Sequence, residues 1–302
     1  MKHIETISEF HQFRKLPKPE HPMISIIDIA SVEQSNKDEP IALLLNFYVI
    51  AMKKVSGAKM KYGQQQFDFD EGLMSFIAPN QVFGIVPAKE NEEIKQSGWV
   101  LIIHPDFLWN TPLARTIKQY DFWDYSVNES LFLSEKEEAT INQIIQNIQQ
   151  EYRANIDKFS KQIIISQLES LLNYADRYYN RQFITREKSN HQILDRLNIL
   201  VSDYFNGTDL INKGLPSVRF IAEALNISPK YLSSLLKMLT GQSTQQYIHE
   251  RLIAKAKEQL STTNLSVSEI AYQLGFEHLQ SFSKLFKTKT KLSPLEFRQS
   301  FN

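Results

Sequence analysis

The C-terminal third of this chain contains an internal repeat, and the repeat limits the folds that the chain can adopt. Ala222 aligns with Ala271 at an offset of 49 residues, whereas Ser243 aligns with Ser293 at an offset of 50. The second copy therefore has one extra residue in its turn. In each copy, apolar residues recur three and four apart on both sides of a turn, which predicts a helix, a tight turn and a second helix. A continuous helix over about 244–260 is expected to join the copies.

Local signals support a helix-turn-helix in each copy. Ser217 is a predicted N-cap for the first helix of copy one, and the segment 266–269 (Ser-Val-Ser-Glu) has the form of a capping box in copy two. Gly275 and Asn226 occupy the turns, where a left-handed backbone is needed and these two residue types tolerate it best. Pro229 suits the first turn of the following helix, because its missing N–H would be unpaired there anyway.

The second helix of each copy is predicted to have one buried and one polar face. Small residues, Ala222 and Ala271, lie where two helices must approach closely, and Leu225 and Leu274 close the core. The buried face carries apolar pairs four apart, which are Leu232 with Leu236 and Phe282 with Phe286. The opposite face is mainly polar and carries Lys230, Ser233, Ser234 and Lys237 in copy one, and Leu279, Gln280, Ser283, Lys284 and Lys287 in copy two.

Such a face is typical of a helix that reads the major groove of DNA, where apolar residues fix the helix and polar side chains contact bases and phosphates. Gln280 is predicted to pair with adenine, and Lys230 or Lys284 with guanine or phosphate. The charge distribution agrees, because residues 190–302 carry 13 Lys+Arg against 9 Asp+Glu while the whole chain has 34 of each. A basic segment joined to an acidic remainder is common in nucleic-acid-binding proteins.

An ordered motif runs through copy two: Ile-Ala, Gly-Phe, Phe-x-x-x-Phe-Lys and Ser-Pro-x-x-Phe-Arg. Its residues are Ile270, Ala271, Gly275, Phe276, Phe282, Phe286, Lys287, Ser293, Pro294, Phe297 and Arg298. The motif resembles the signature of the AraC/XylS family of transcription regulators, over about residues 190–302. Two positions depart from the family pattern. Lys291 replaces the usual Gly, which Gly241 keeps in copy one, and His278 replaces the common acidic residue. The resemblance implies two recognition helices in successive major-groove segments, roughly 34 Å apart.

Residues 22–133 are predicted to be mainly strands. The β-branched and aromatic runs are 22–30, 41–51, 73–79, 82–87 and 98–104. Several short strands favour a sandwich or barrel. The resemblance implies a cupin-like β-barrel here, and the segment 72–81 looks like the strand and turn of such barrels.

Two amphipathic helices are predicted after this region. Ser134 and Glu137 form a capping box before apolar residues at helical spacing, which are Ile141, Ile144, Ile145 and Ile148. A second helix over about 157–179 has the stripe Phe159, Ile163, Ile164, Leu168, Leu171, Leu172 and Ala175. These helices either pack on their own domain or contribute to a dimer interface, and the polar segment 180–190 is a predicted linker.

The sequence therefore predicts a multidomain α+β protein. Its parts are a cupin-like sensor domain with flanking helices (1–133), a helical dimerisation region (134–189) and an all-α domain with two helix-turn-helix motifs (190–302).

Composition excludes several classes of protein. Cysteine is absent, so there is no disulfide framework, thiolate metal site or cysteine nucleophile. The histidines of the N-terminal half, His3, His11, His21 and His104, lack the ligand spacing of a metal-binding cupin. We therefore expect no metal, no cofactor and no enzyme activity. No run reaches the roughly 18 apolar residues of a membrane helix. The N-terminus lacks the pattern of a signal peptide, so we expect a cytoplasmic protein.

These features predict a sequence-specific DNA-binding transcription regulator that is switched by a small-molecule effector in the N-terminal barrel. Trp99, Phe107 and Trp109 are candidates for stacking against the effector, with ordinary core packing as the alternative. An activator that acts as a homodimer with RNA polymerase as a partner fits the resemblance. One alternative is a constitutive DNA-binding protein whose barrel only dimerises. Another is an alkyl-transfer repair enzyme with an appended DNA-binding module, which the lack of a cysteine acceptor disfavours.

Overall fold

The chain folds into two compact units. The computed structural model describes residues 2–31, 41–56, 61–62, 65–66, 72–85, 95–126, 129–154, 157–185, 187–207 and 209–301. Contacts between residues divide the chain into Met1–Gln182 and Phe183–Asn302. In the described ranges the strands belong to the first unit and the second unit is helical. The α+β, multidomain class is therefore confirmed, whereas the domain limits at residues 133 and 189 stay a prediction.

In the described residues the first unit has three sheets, which are built from ten strands. They are β1 (Lys2–Ile4), β2 (Ile24–Asp28), β3 (Ile41–Leu45), β4 (Tyr48–Ser56), β5 (Lys61–Tyr62), β6 (Gln65–Gln66), β7 (Gly72–Ile77), β8 (Val82–Ile85), β9 (Lys95–Ile103) and β10 (Leu131–Leu133). An antiparallel five-stranded sheet has the order β10-β7-β4-β9-β2. A second sheet has the order β1-β3-β8, and β5 pairs with β6. The strands in the described ranges do not close into a barrel, so the cupin-like barrel stays a prediction.

Two of the described helices lie between strands, and the others follow β10 along the chain. The helices are α1 (Ile7–Phe13), α2 (Leu113–Thr116), α3 (Glu135–Arg153), α4 (Ser160–Thr185), α5 (Glu187–Asn206), α6 (Asp209–Lys213), α7 (Val218–Leu225), α8 (Pro229–Thr240), α9 (Thr244–Thr262), α10 (Val267–Gln273), α11 (Leu279–Thr290) and α12 (Pro294–Gln299). Short 3-10 helices lie at Ile29–Ser31, Pro105–Leu108, Ile117–Gln119 and Asp121–Asp124. No helix in the described ranges has the length and apolar character needed to cross a membrane.

The apolar run 41–51 forms two strands, and the expectation of one strand is wrong. Asn46 and Phe47 separate β3 from β4, and the two strands join different sheets. The Asn46 N–H donates to the Ile4 carbonyl at 3.1 Å, and its side-chain oxygen lies 2.8 Å from Nε2 of His3. Phe47 is fully buried. The chain therefore passes from one sheet to the other through Asn46, whose N–H still bonds to β1, and Phe47, which belongs to the apolar core.

The two predicted amphipathic helices are present as α3 and α4. At the start of α3 the Ser134 N–H donates to the Glu137 carboxylate at 2.9 Å, as the capping box predicts. The buried residues of the predicted stripes are Ile141, Ile144, Ile145 and Ile148 in α3, and Ile164, Leu168, Leu171, Leu172 and Ala175 in α4. Two members of the α4 stripe are not buried, because Phe159 is 58% and Ile163 44% exposed. The stripe of α4 thus begins one turn later than its spacing predicts.

The limit between the two units, after Gln182, falls inside the predicted linker 180–190, but this segment is mostly helical rather than a loop. α4 continues to Thr185 and α5 begins at Glu187, so helices cover most of this segment. Its polar composition is that of a loop, but polar residues also form helices where their side chains find partners.

The side chains of Arg181 and Gln182 have such partners in and next to the edge strand β10. The Gln182 side chain accepts from the Phe132 N–H at 2.8 Å and donates to the Ser130 carbonyl at 3.2 Å. The Arg181 guanidinium donates to the Phe132 carbonyl at 2.7 Å and to the Glu137 carboxylate at 2.6 Å. Two helical side chains therefore supply the hydrogen bonds that a further strand would make.

An apolar core joins the two larger sheets of the first unit and α1. Val49 of β4, Ile77 of β7 and Ile102 of β9 belong to this core, together with residues of β1 and β3. We call the side of the five-stranded sheet that carries these three residues the inner face. On the opposite, outer face, the Lys54 ammonium group lies 2.9 Å from the Glu138 carboxylate of α3. Strand alternation assigns every β4 residue to one of these faces.

The second unit has its own core, to which both copies of the repeat contribute. Its buried residues include Leu197 and Val201 of α5, Leu252 and Ala256 of α9, and the apolar pairs of α8 and α11. One core therefore holds both repeats, and α9 joins them as predicted.

Candidate nucleic-acid interface

The first helix-turn-helix consists of α7 and α8. The Ser217 hydroxyl accepts from the Phe220 N–H at 3.1 Å, which caps α7 as predicted. Asn226 ends α7 with a φ of 58°, in the left-handed region that Asn tolerates better than most residues. The next residues lead directly into α8, where Ser228 accepts from the Tyr231 N–H at 3.1 Å and Pro229 occupies the first turn. The turn is therefore short, with the left-handed Asn226 closing α7 through its backbone N–H and the Ser228 side chain capping α8.

The second helix-turn-helix consists of α10 and α11. Ser266 and Glu269 form the predicted capping box, with hydrogen bonds of 3.2 and 2.7 Å. Gly275 has a φ of 78°, and a Cβ atom there would lie 2.5 Å from the Leu210 carbonyl oxygen. Glycine is thus required both by the backbone conformation and by the close approach of α6. His278 precedes α11 without a side-chain hydrogen bond to the helix.

The recognition helices α8 and α11 are anchored by their apolar pairs. Leu232, Leu236, Phe282 and Phe286 are all fully buried. Phe282 also contacts Phe276 of the turn, with ring centroids 5.4 Å apart. Ala222 and Ala271 are buried between helices, which confirms the predicted close approach. The buried pair of each helix therefore fixes its orientation, so that the opposite face lies at the surface of the second unit.

The predicted polar faces occupy equivalent positions in the two helices. Lys230, Ser233, Ser234 and Lys237 have the spacing i, i+3, i+4 and i+7, and Gln280, Ser283, Lys284 and Lys287 repeat it 50 residues later. Lys237, Leu279, Gln280, Lys284 and Lys287 are exposed, whereas Lys230, Ser233, Ser234 and Ser283 are partly buried. Each helix therefore offers a row of polar side chains on one side, and the row of α11 is more exposed.

Ser233 is already engaged within the unit. Its hydroxyl donates to the Pro229 carbonyl at 2.9 Å and lies 3.2 Å from the hydroxyl of Thr244, a buried residue at the start of α9. Sequence pattern places Ser233 on the polar face but does not reveal this contact. Its hydroxyl thus helps to hold α8 against α9, which leaves it less free to contact an external group.

Two features near α11 were not predicted from the sequence. Burial, and then the charge of Lys289, lowers the pKa of His249 in α9. The motif residue Arg298 donates to the Leu260 carbonyl at 3.2 Å, which ties α12 to the end of α9. Phe297 packs on Phe286 at 5.4 Å. The Phe-Arg end of the motif therefore stabilises the fold.

The three aromatic candidates for effector binding lie in different environments. Trp99 is buried, and its indole N–H donates to Asn142 at 2.9 Å. Phe107 lines a cavity of about 140 Å³ together with Tyr152 and Lys161. Trp109 is 67% exposed. Their role in binding stays a prediction. No group of acidic residues and histidines in the described ranges is arranged to hold a metal ion.

Two helix-turn-helix units with exposed polar recognition helices define a class of DNA-binding proteins. A family described as "Helix-turn-helix domain" matches residues 221–300. The transcriptional regulator YfiF of Bacillus subtilis is 29% identical over 219 residues, which are 70% of this chain and 57% of that protein. The transcriptional activator RhaS of Escherichia coli is 30% identical over 143 residues, which are 46% of each chain.

A solved structure, the C-terminal domain of the response regulator AraT from Geobacillus stearothermophilus, is 30% identical. It covers 36% of this chain and 84% of its own chain, with a TM-score of 0.32. The chain spans about half the length of the curated relatives YfiF and RhaS. The match over residues 221–300 and the similarity to helix-turn-helix transcription regulators support the resemblance to the AraC/XylS family that the motif in copy two predicts.

Proposed function

We propose that this protein is a sequence-specific DNA-binding transcription regulator. The observation that carries the proposal is the repetition of one polar face at the same four positions of α8 and α11. Buried anchors on the reverse side hold both helices in one core. Side chains of this kind contact base edges and phosphates when a helix enters the major groove. The similar proteins YfiF and RhaS, a regulator and an activator of transcription, support the same class.

Each polar position has a chemical role in this proposal. Gln280 pairs with an adenine, and Lys230 and Lys284 contact guanine or phosphate. Lys237 and Lys287, one turn further along, neutralise phosphates, while Leu279 contacts a thymine methyl group. Ser234 and Ser283 accept or donate hydrogen bonds close to the backbone of the DNA, whereas Ser233 holds α8 against α9.

The first unit supplies the regulation in this proposal. An effector acts by binding two arrangements of the protein with different affinities, and a homodimer places two such proteins on one operator. In this proposal the protein activates transcription through contact with RNA polymerase. It is cytoplasmic, and its first unit is cupin-like. A constitutive DNA-binding protein is the alternative outcome, in which no small molecule changes operator affinity.

Selection of bound fragments from random and genomic DNA tests the proposal directly. We expect a motif of two short blocks about ten base pairs apart, with an affinity that falls steeply as salt rises. Gln280→Ala should relax the preference at one base pair and weaken operator binding by about 1–3 kcal/mol. Lys284→Gln should weaken binding to every sequence if it contacts phosphate, and should lower the salt slope by about 1.

Lys289→Gln is the matched control for Lys284→Gln. It removes the same charge from the same helix, but it lies outside the row of polar positions. Its effect on operator affinity should be clearly smaller. Absence of enrichment at low salt, or equal effects of the two substitutions, would contradict the proposed interface.

A further inference from the structure

The cavity of about 140 Å³ in the first unit is lined by the 3-10 helix Pro105–Leu108, the end of α3 and the start of α4. We call the buried residues of its lining the floor and the exposed ones the rim. The floor consists of Phe107, Tyr152 and Ile164, which are all buried and mainly apolar. A cavity of this size accepts a group about as large as a benzene ring. The floor therefore suits a small apolar group.

The rim of the cavity carries charges of both signs. Lys161 is positive, Asp106 and Asp157 are negative, and all three residues are exposed. Among the residues that the structure describes, neither Lys161 nor Asp157 belongs to an ion pair, and Asp106 lies 3.6 Å from the His104 ring. The positive and negative groups are therefore held apart across one cavity and do not neutralise each other.

Two hydrogen-bond donors lie beside the ring of Phe107. The Lys161 ammonium group is 5.9 Å from the ring centroid and donates to the Trp109 carbonyl at 2.9 Å, which leaves two of its N–H groups for other acceptors. The His21 ring packs edge-on against Phe107, with centroids 5.6 Å apart. Burial lowers the pKa of His21, and its Nδ1 accepts from the Met23 N–H at 3.1 Å, so the neutral ring carries its proton on Nε2. This side of the rim therefore suits a carboxylate.

The acidic side of the rim offers acceptors. Oδ1 of Asp157 accepts from the N–H groups of Phe159 and Ser160 at 2.7 and 3.0 Å. These bonds fix the orientation of the carboxylate, and within the described part of the chain Oδ2 has no hydrogen bond. Asp106 likewise has one oxygen, Oδ1, outside its contact with His104. This side therefore suits an ammonium group.

We propose that the cavity binds a free α-amino acid with an apolar side chain. Its carboxylate accepts from Lys161 and from Nε2 of His21, and its ammonium group donates to Asp157 and Asp106. Its side chain lies on the floor, against Phe107. A ligand with a charge of one sign satisfies only one side of the rim and is repelled by the other. The proposal rests on the effector-responsive role of the first unit and names the chemical class of the effector.

Thermal unfolding of the full chain with free amino acids tests the site. The probes are valine, leucine, methionine and phenylalanine, with glutamate and lysine as charged counterparts. A ligand that binds only the folded state raises Tm in a saturable manner. At least one apolar amino acid should raise Tm by several degrees. Glutamate and lysine should not, because their side chains would bring a charge onto the apolar floor. If no apolar amino acid exceeds the charged ones, the proposal is overturned.

Matched analogues test recognition of both charges. For leucine, 3-methylbutylamine lacks the carboxylate and 4-methylpentanoate lacks the amino group. For phenylalanine, the corresponding pair is 2-phenylethylamine and 3-phenylpropanoate. Each analogue should bind at least about tenfold more weakly than its amino acid in calorimetric titration, because hydrogen bonds to one charged group are lost. An amine or an acid that binds as tightly as the amino acid overturns the proposal.

Variants at the two sides of the rim assign the charges. Lys161→Met should weaken amino-acid binding about tenfold, yet leave the affinity for the amine unchanged, because the amine has no carboxylate. Lys158→Met is its control, since Lys158 lies outside the lining. Asp157→Asn should also weaken amino-acid binding about tenfold while it keeps the helix cap, which asparagine forms equally well. Asp124→Asn, at an exposed residue outside the lining, is the control.

Amino-acid binding by Lys161→Met and Asp157→Asn that equals binding by the parent would overturn the site, even if the parent binds the amino acid elsewhere. Operator binding by the parent is measured separately, without amino acid. Intact operator binding without any amino-acid effect overturns this site and leaves the DNA-binding function standing. Saturable amino-acid binding without operator binding supports the site and contradicts the DNA-binding function.

Discussion

The N-cap residue of α8 is Ser228, whose hydroxyl accepts a hydrogen bond from the helix, and its C-cap residue is Gly241. In α11 the N-cap residue is His278, whose side chain makes no such bond, and the C-cap residue is Lys291. Gly241 and Lys291 both adopt left-handed backbone, with φ values of 73° and 69°. Only glycine does so without a steric cost. The two recognition helices thus share a fold but differ in how their ends are stabilised.

Aromatic packing offsets the poorer ends of α11. Phe276, Phe282, Phe286 and Phe297 form a chain of ring contacts with centroids 5.4 to 5.8 Å apart. The corresponding helix α8 is held by leucines. The comparison indicates that copy one depends on its caps and turns, while copy two depends on its core and on the close approach at Gly275.

The largest expected effect is at the turn of copy two. Gly275→Ala should destabilise the second unit by about 2–4 kcal/mol, because it adds left-handed strain and a contact with the Leu210 carbonyl. Gly241→Ala should cost only about 1 kcal/mol, since its Cβ would meet no atom within 4 Å. Urea unfolding followed by circular dichroism at 222 nm measures both. Equal losses would contradict the difference between the turns.

Tryptophan fluorescence provides an internal control for that experiment. All three tryptophans lie in the first unit, at positions 99, 109 and 123. Substitutions in the helix-turn-helix units should leave the structure around these tryptophans, and hence the native emission spectrum, unchanged. A changed spectrum would show that the substitution acts beyond the second unit.

Replacing the N-cap residue should reduce the free energy of unfolding more for α8 than for α11, and by less than the substitution of Gly275 does. Ser228→Ala should cost about 1 kcal/mol, because the Tyr231 N–H loses its acceptor. His278→Ala should have little effect, and His278→Ser should stabilise α11 by up to about 1 kcal/mol by adding the missing cap. The same urea unfolding measures these changes. If His278→Ala lowers the free energy of unfolding as much as Ser228→Ala does, the two N-caps do not differ as proposed.

The smallest effect is expected where α11 ends. Lys291→Gly should stabilise the second unit by about 0.5–1 kcal/mol, since glycine relieves the left-handed strain but loses more entropy on folding. The reciprocal change, Gly241→Lys, should destabilise it by a similar amount. If Lys291→Gly destabilises the unit instead, Lys291 makes a stabilising contact that outweighs its backbone strain.

Sequence reasoning succeeded where the signal and its structural effect lie close together in the chain. The caps at Ser217 and Ser266, the left-handed turns at Asn226 and Gly275, and the periodicity of α8 and α11 all act over three or four residues. Their geometry follows from propensities and hydrogen bonding within one turn. The extra residue in the second turn follows from the offset of the repeat alone.

The failures have a common physical cause, which is a partner far away in sequence. Asn46, at the end of β3, has its partners at residues 3 and 4, and the segment 180–190 is helical partly because Gln182 is bonded to residues 130 and 132. The bond between Ser233 and Thr244 joins residues 11 positions apart, and the bond between Arg298 and Leu260 joins residues 38 positions apart. No local pattern carries such information.

The hydrogen bonds from Arg181 and Gln182 to β10 have a consequence for self-association. An edge strand with free N–H and C=O groups is a template on which another chain can pair, and proteins avoid aggregation by covering such edges. Here the outer groups of residues 130 and 132 are already occupied by helical side chains. Extension of the five-stranded sheet into a second copy at this edge would therefore have to break these hydrogen bonds first.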